Sequence, residues 1–181
     1  MKKHLAFACG SLACMSVFLS ACTTSPDTTK TAAAAPADTL SYPYKATYSS
    51  DITVPGNTAN AHTVLKVWKM FETADIQGMK PYFADTVTYD DASGMRFHGP
   101  ADNLLAYAKK DIEGLDSMRF DISVWQSAHI NDKNEDWVSI WSTERRYPKN
   151  GKPDSVLMQE NWKVQDGRVV YFNQFLAKLP R

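Results

Sequence analysis

Apolar and polar residues change period along this chain, and the changes mark its elements. From Thr58, the residues Val64, Val67, Trp68 and Phe71 recur at spacings of three and four, which predicts an amphipathic helix stopping near Asp75. Residues 76–83 predict a second, shorter helical turn broken by Gly78 and Pro81. Residues 86–91 alternate as a strand that ends at Ala92-Ser93-Gly94. Phe97-His98-Gly99-Pro100 then opens a third helix, with Leu104, Leu105, Ala108 and Ile112 as its apolar face up to Gly114. Beyond it the period falls to two. Residues 118–130, 137–147, 155–164 and 168–176 predict four long strands of an antiparallel meander, the last two joined at Asp166-Gly167, where a tight turn demands positive φ.

The third of these strands organises the chain. Val156, Met158, Glu160, Trp162 and Val164 share one face, so a carboxylate stands in the middle of an apolar row, at a rim or in a pocket. The other face is also rich in large groups, because Trp141 opposes Ile140 in phase, Trp162 opposes Leu157, and Phe172 opposes Tyr171 and Phe175. A sheet with one side in water has no need of this. Helices are therefore expected on one face, with a partner subunit or the Tyr42-Tyr44-Tyr48 arm covering part of the other. The class is α+β, with N-terminal helices packed on a curved antiparallel sheet.

Residues ahead of the helices say where the protein resides. Met1-Lys2-Lys3-His4 is a short basic start, and the apolar run of residues 5–19 is too short for a stable membrane span. It predicts a secretory signal over residues 1–21. Leu19-Ser20-Ala21-Cys22 resembles the lipobox of bacterial lipoproteins, which implies cleavage before Cys22 and lipidation of its thiol; an ordinary signal peptide with a nearby cysteine is the alternative. Cys9 and Cys14 leave with the signal, so the resemblance implies a mature chain without a disulfide or a Cys-bound metal. Thr23 stands where inner-membrane retention signals carry Asp, which points to the outer membrane, facing the periplasm or the exterior. Residues 22–57 form a lipidated tether and arm, rich in Thr, Ala and Pro at first, and residues 58–181 form one domain. Lys2 and Lys3 go with the signal, leaving 18 basic against 20 acidic residues, a balance without the basic excess of a nucleic-acid surface.

Helix, short helix, strand, helix and a four-stranded meander resemble the cone-shaped fold of nuclear transport factor 2, ketosteroid isomerase and the SnoaL-like polyketide cyclases. Three patterns carry the resemblance: Thr73-Ala74-Asp75-Ile76-Gln77-Gly78 before Tyr82-Phe83-Ala84-Asp85; Val87-Thr88-Tyr89-Asp90-Asp91 with Phe97-His98-Gly99-Pro100; and Glu160-Asn161-Trp162-Lys163 before Asp166-Gly167-Arg168. The resemblance implies an NTF2-like cone over residues 58–179. It also implies that Asp91 stands where the isomerase has its general base, and Glu160 where the isomerase has its second acid and the cyclases their catalytic acid. An ionised carboxylate removes a proton beside a carbonyl, while a neutral carboxyl donates to the enolate oxygen. The isomerase's oxyanion-binding tyrosine has no counterpart, since Val67 or Trp68 stands there.

Each candidate has a plainer reading. Asp91 can cap the turn at Ser93 and Gly94. Glu160 can pair with Arg145, Arg146 or Arg96. Trp68, Tyr89, Trp141, Met158, Trp162, Phe172 and Gln174 line a pocket or fill the core, and His98 is a proton shuttle or only the residue before a helix-opening glycine. His62 and His129 lie apart in the pattern, so no metal site is expected, and nothing calls for a cofactor. Phosphate-binding glycine loops and the Gly-x-Ser-x-Gly elbow are missing from the sequence. Three functions follow from these residues: an envelope lipoprotein binding a small, largely apolar molecule; a proton-transfer enzyme of isomerase, cyclase or dehydratase type; or a protein-interaction module using the second sheet face, with a homodimer among its forms.

Overall fold

The computed structural model describes residues 45–179. The expected signal peptide and tether, with Cys22, Tyr42 and Tyr44, lie outside the described residues. Among the described residues, no helix is long and apolar enough to cross a membrane.

A short strand β1 (Ile52–Thr53) precedes helix α1 (Thr58–Glu72), helix α2 (Ile76–Met79) and a 3-10 turn (Lys80–Tyr82). Strands β2 (Phe83–Asp90) and β3 (Arg96–Pro100) form a hairpin, followed by helix α3 (Ala101–Ile112). The meander is β4 (Leu115–Ile130), β5 (Glu135–Pro148), β6 (Asp154–Gln165) and β7 (Arg168–Lys178). All seven strands belong to one sheet in the order β1-β4-β5-β6-β7-β2-β3. The meander is antiparallel as expected, but β2 joins it alongside β7 in parallel, so the sheet as a whole is mixed.

Local chemistry sets these boundaries. Asn57 caps α1 by accepting from the Ala59 N–H at 3.0 Å. Ala74 ends the helix in the left-handed region at φ 60°, and Asp75 then caps α2 by accepting from the Gly78 N–H at 2.9 Å. The β6–β7 turn carries positive φ at both Asp166 and Gly167, the requirement of the tightest hairpin type. One expectation fails here: Phe97-His98-Gly99-Pro100 does not begin a helix. These residues belong to β3, with Thr88 opposite His98 and Val87 opposite Gly99. Pro100 is tolerated because β3 is the sheet edge, and it becomes the cap residue of α3.

The core lies between the helices and one face of the sheet. Val64 and Val67 of α1, Val87 of β2, Val138 and Ile140 of β5 and Val169 of β7 are the most deeply enclosed side chains. The described part of the arm, residues 45–57, leaves Leu157 and Phe175 of the opposite face uncovered. It is fastened to the β4–β5 hairpin, where Tyr48 donates to Glu135 at 2.6 Å, Thr53 donates to Asn131 at 3.0 Å and the Asn131 amide donates to Asp51 at 2.7 Å. Gly56 lets it lie flat, because a Cβ there would stand 2.5 Å from the Ala128 carbonyl carbon. Among the described residues the opposite face is open there, with Leu157 45% and Phe175 56% exposed.

This division predicts unequal costs for two truncations on neighbouring strands. Ile140→Ala should lose about 2–5 kcal/mol in denaturant unfolding, whereas Leu157→Ala should lose well under about 1 kcal/mol. Equal losses would contradict the assignment of faces.

Candidate functional site

Between the sheet and the three helices lies a cavity of about 560 Å³ that opens at its rim. Val67, Trp68 and Phe71 of α1 form one wall, and Leu104, Leu105 and Ala108 of α3 another. The sheet supplies Phe83 and Tyr89 from β2, Phe120 from β4, Met158, Glu160 and Trp162 from β6, and Phe172 and Gln174 from β7. Trp162, Phe172 and Tyr89 stack in sequence, with centroids 4.3 Å apart at both steps. Trp68 and Phe120 meet at 4.6 Å across the tilt of their rings. The result is an apolar slot with flat walls.

Glu160 is 5% exposed within this slot. Its cross-strand partners are Ile140 on β5 and Gln174 on β7. The Trp162 indole N–H donates to Oε2 at 2.9 Å, and the Gln174 amide donates to Oε1 at 3.0 Å. The three arginines that could have paired with it are engaged elsewhere. Arg145 holds Asp121 at 2.7 Å, Arg96 holds Asp90 at 2.6 and 2.8 Å, and Arg146 holds Glu144 and Asp111. Burial therefore dominates and pushes the carboxyl up from its ordinary 4.5 to about 8, against the two hydrogen bonds, with nearby Glu144 adding to the rise. A carboxyl raised to about 8 is mostly protonated at pH 7.

A second polar group on the cavity was not among the sequence candidates. Glu144 of β5 is 4% exposed, and Arg146 donates to it through Nε at 2.8 Å while gripping Asp111 of α3 at 3.0 and 2.8 Å. Burial raises the Glu144 pKa, and Arg146 opposes the rise. Burial also works against the charge on Arg146, but Asp111 and Glu144 outweigh it and hold the guanidinium charged. The signal that singled out Glu160 was weaker here, since Ser142 and Arg146 flank Glu144 on the face that Val138 and Ile140 share.

The remaining candidates divide. Trp68, Tyr89, Met158, Trp162, Phe172 and Gln174 all line the cavity with Glu160. Asp91 sits at the exposed rim beside Ala92 and Ser93, where one oxygen accepts from the Ser93 N–H at 2.8 Å, the Ser93 hydroxyl at 2.7 Å and the Met95 N–H at 2.9 Å. The Ser93 hydroxyl foremost, despite some desolvation, holds its pKa below the usual carboxylate value. It caps a turn. Trp141 and His98 do not reach the cavity. Trp141 follows Ile140, whose side chain points inward, so it lies on the open face level with Val124 and Gln159. His98 is exposed on β3, 2.8 Å from the Thr88 hydroxyl, in the phase opposite to Tyr89. Among the described residues, no three His, Cys, Asp or Glu side chains are grouped to hold a metal.

The raised pKa has a consequence for stability. The folded chain keeps the Glu160 proton up to about pH 8 and the unfolded chain releases it near 4.5, so the parent loses stability as pH rises through that window. Relative to the parent, Glu160→Gln should gain stability from about pH 5 to 8, by at most about 1.4 kcal/mol per pH unit. A pH-independent difference in unfolding free energy would contradict a buried, protonated Glu160.

The sequence model of a SnoaL-like domain matches residues 64–172, a span that includes every residue lining the cavity except Gln174 and Leu176. No curated protein matches the sequence. Among solved structures, an LEH-like epoxide hydrolase of M. tuberculosis is similar with a TM-score of 0.56 at 12% identity, over 66% of this chain and 84% of that one. A Shewanella denitrificans protein provisionally called a SnoaL-like polyketide cyclase gives 0.56 at 12% identity, over 67% and 92%. An NTF2-like protein of unknown function from Burkholderia pseudomallei gives 0.54 at 19% identity, over 66% and 91%. At such identities the likeness establishes the fold, which is NTF2-like. With the family model covering more than half its length, this chain belongs to the SnoaL-like domain family.

Proposed function

We propose that the domain binds a small, largely apolar molecule in the cavity, as the working part of a lipid-anchored envelope protein. The observation that carries this reading is the cavity of about 560 Å³, walled by aromatic and aliphatic groups around the buried Glu160 carboxyl. A neutral Glu160 admits an uncharged ligand without the cost of desolvating an anion, and the stacked rings offer flat apolar contact. Lipidation at Cys22, following Leu19-Ser20-Ala21, would hold the domain to the outer membrane through the tether and arm of residues 22–57.

A second reading, proton transfer of isomerase, cyclase or dehydratase type, draws support from Glu160. A carboxyl with a pKa of about 8 suits a general acid near neutral pH. Asp91 is a poor match for the base, since three donors already hold one of its oxygens and lower its pKa. The open sheet face, with Val124, Leu157 and Phe175 exposed beside Trp141, supports the further reading of a homodimer or envelope partner there.

Titration with the fluorescent apolar amine N-phenylnaphthylamine should show saturable binding that quenches tryptophan emission. Leu104→Trp, which fills the slot, should weaken binding at least about tenfold while the variant still melts cooperatively. A parent that binds no apolar probe would refute the pocket reading. For the anchor, mass spectrometry of the mature protein from a lipoprotein-competent host should find acylated Cys22 at its N-terminus, and an unmodified cysteine would refute it.

A further inference from the structure

The cavity has a second polar end, at its mouth. Glu144 of β5 pairs across the sheet with Val156, which lies four residues along β6 from Glu160, so the two acids stand about 13 Å apart along the inner face. Glu160 lies deep in the slot. Glu144 lies toward the rim, where Tyr107 and Asp111 of α3 and Asp154 of β6 are exposed.

Glu144 is 4% exposed, and only half of its carboxylate is occupied. Oε1 accepts from Arg146 at 2.8 Å, whereas Oε2 accepts no hydrogen bond from the described residues. Arg146 is not free to serve it, because Asp111 holds its other two nitrogens at 3.0 and 2.8 Å. A buried acceptor without a donor is costly. The charge at the mouth is unbalanced as well. Apart from Glu160, the charged side chains lining the cavity are Asp91, Asp111, Glu144 and Asp154 against Arg146 alone. Lys178, opposite Val156, is exposed and does not line it. Burial raises the Glu144 pKa, Arg146 opposes the rise, and Asp111 and Asp154 add to it, so a further positive charge at this point would relieve the carboxylate.

We infer that Glu144 Oε2 takes a hydrogen bond from a protonated amine, so that the ligand of the cavity is an apolar molecule ending in an ammonium group at the mouth. The inference rests on the reading that the cavity binds a small, largely apolar molecule, and it specifies the charge of that molecule's outer end. The apolar body lies along Tyr89, Phe172 and Trp162 toward Glu160, and the ammonium stays at the rim, where it keeps part of its water. Tyr107, 57% exposed at the rim, adds an aromatic ring against which a cation can rest. An anionic end has no such place, because the one guanidinium is already shared by Asp111 and Glu144.

Calorimetry on the full-length protein compares three probes with one body, naphthylbutylamine, naphthylbutanol and naphthylvalerate, whose ends are an ammonium, a hydroxyl and a carboxylate. At neutral pH and low salt the amine should bind about tenfold tighter than the alcohol, and the carboxylate should bind weakest. In Glu144→Gln, which keeps an acceptor for Arg146 and removes the charge, the preference for the amine should fall to about threefold or less while the alcohol still binds. If that variant does not melt cooperatively, the ranking of the three probes by the parent decides alone. Equal binding of amine and alcohol, or tightest binding of the carboxylate, would overturn the inference and leave the pocket reading intact. An amine preference that persists undiminished in a folded Glu144→Gln would do the same. Binding of none of the probes would overturn both.

Discussion

The cost of burying one carboxyl shapes the site. Moving an ionised glutamate out of water is expensive unless a counter-charge follows it in, and here none does. The nearby arginines are held by Asp121, Asp90 and the Asp111–Glu144 pair, which leaves Glu160 with an indole and an amide as its donors. The cheaper state is the protonated one, and the carboxyl's pKa rises accordingly. Neutrality makes the carboxyl a donor and lets an apolar slot survive around it.

The fold supplies the conditions for that choice. Strand β6 carries Met158, Glu160 and Trp162 on its inner face, β7 brings Phe172 and Gln174 level with them, and β2 adds Tyr89 because it joins β7 in parallel. Helix α1 lays Val67, Trp68 and Phe71 across the same region, and α3 adds Leu104 and Leu105. The inner face thus holds two buried acids in different settings. Glu160 is neutral among rings, whereas Glu144 shares Arg146 with Asp111. Such a cone can serve binding or catalysis, and the family alone does not choose between them.

Much of this was legible in the sequence, for identifiable reasons. A period of two fixed Glu160 on the same face as Met158 and Trp162, because strand geometry permits nothing else within one strand. It could not say which face of β5 matched, since that depends on register. Ile140 pairs with Glu160, and Trp141, one residue on, is thereby turned outward. His98 was misplaced through the same ambiguity between helix and edge strand at Gly99-Pro100, where an edge tolerates the proline that a central strand would not. Glu144 shares a face with Val138 and Ile140, but polar Ser142 and Arg146 flank it there, so no unbroken apolar row marked it. The parallel junction of β2 with β7 joins segments far apart in the chain, and no local pattern encodes it.

The most direct measurement is an NMR titration of glutamate carboxyl carbons in the isotope-labelled domain, with Glu160 assigned through Glu160→Gln. The account predicts a resonance that stays in its protonated position through neutral pH and turns over near pH 8. A midpoint at the ordinary glutamate value near 4.5 would mean that the carboxyl is solvated or paired, and the neutral, donor-lined pocket would be contradicted.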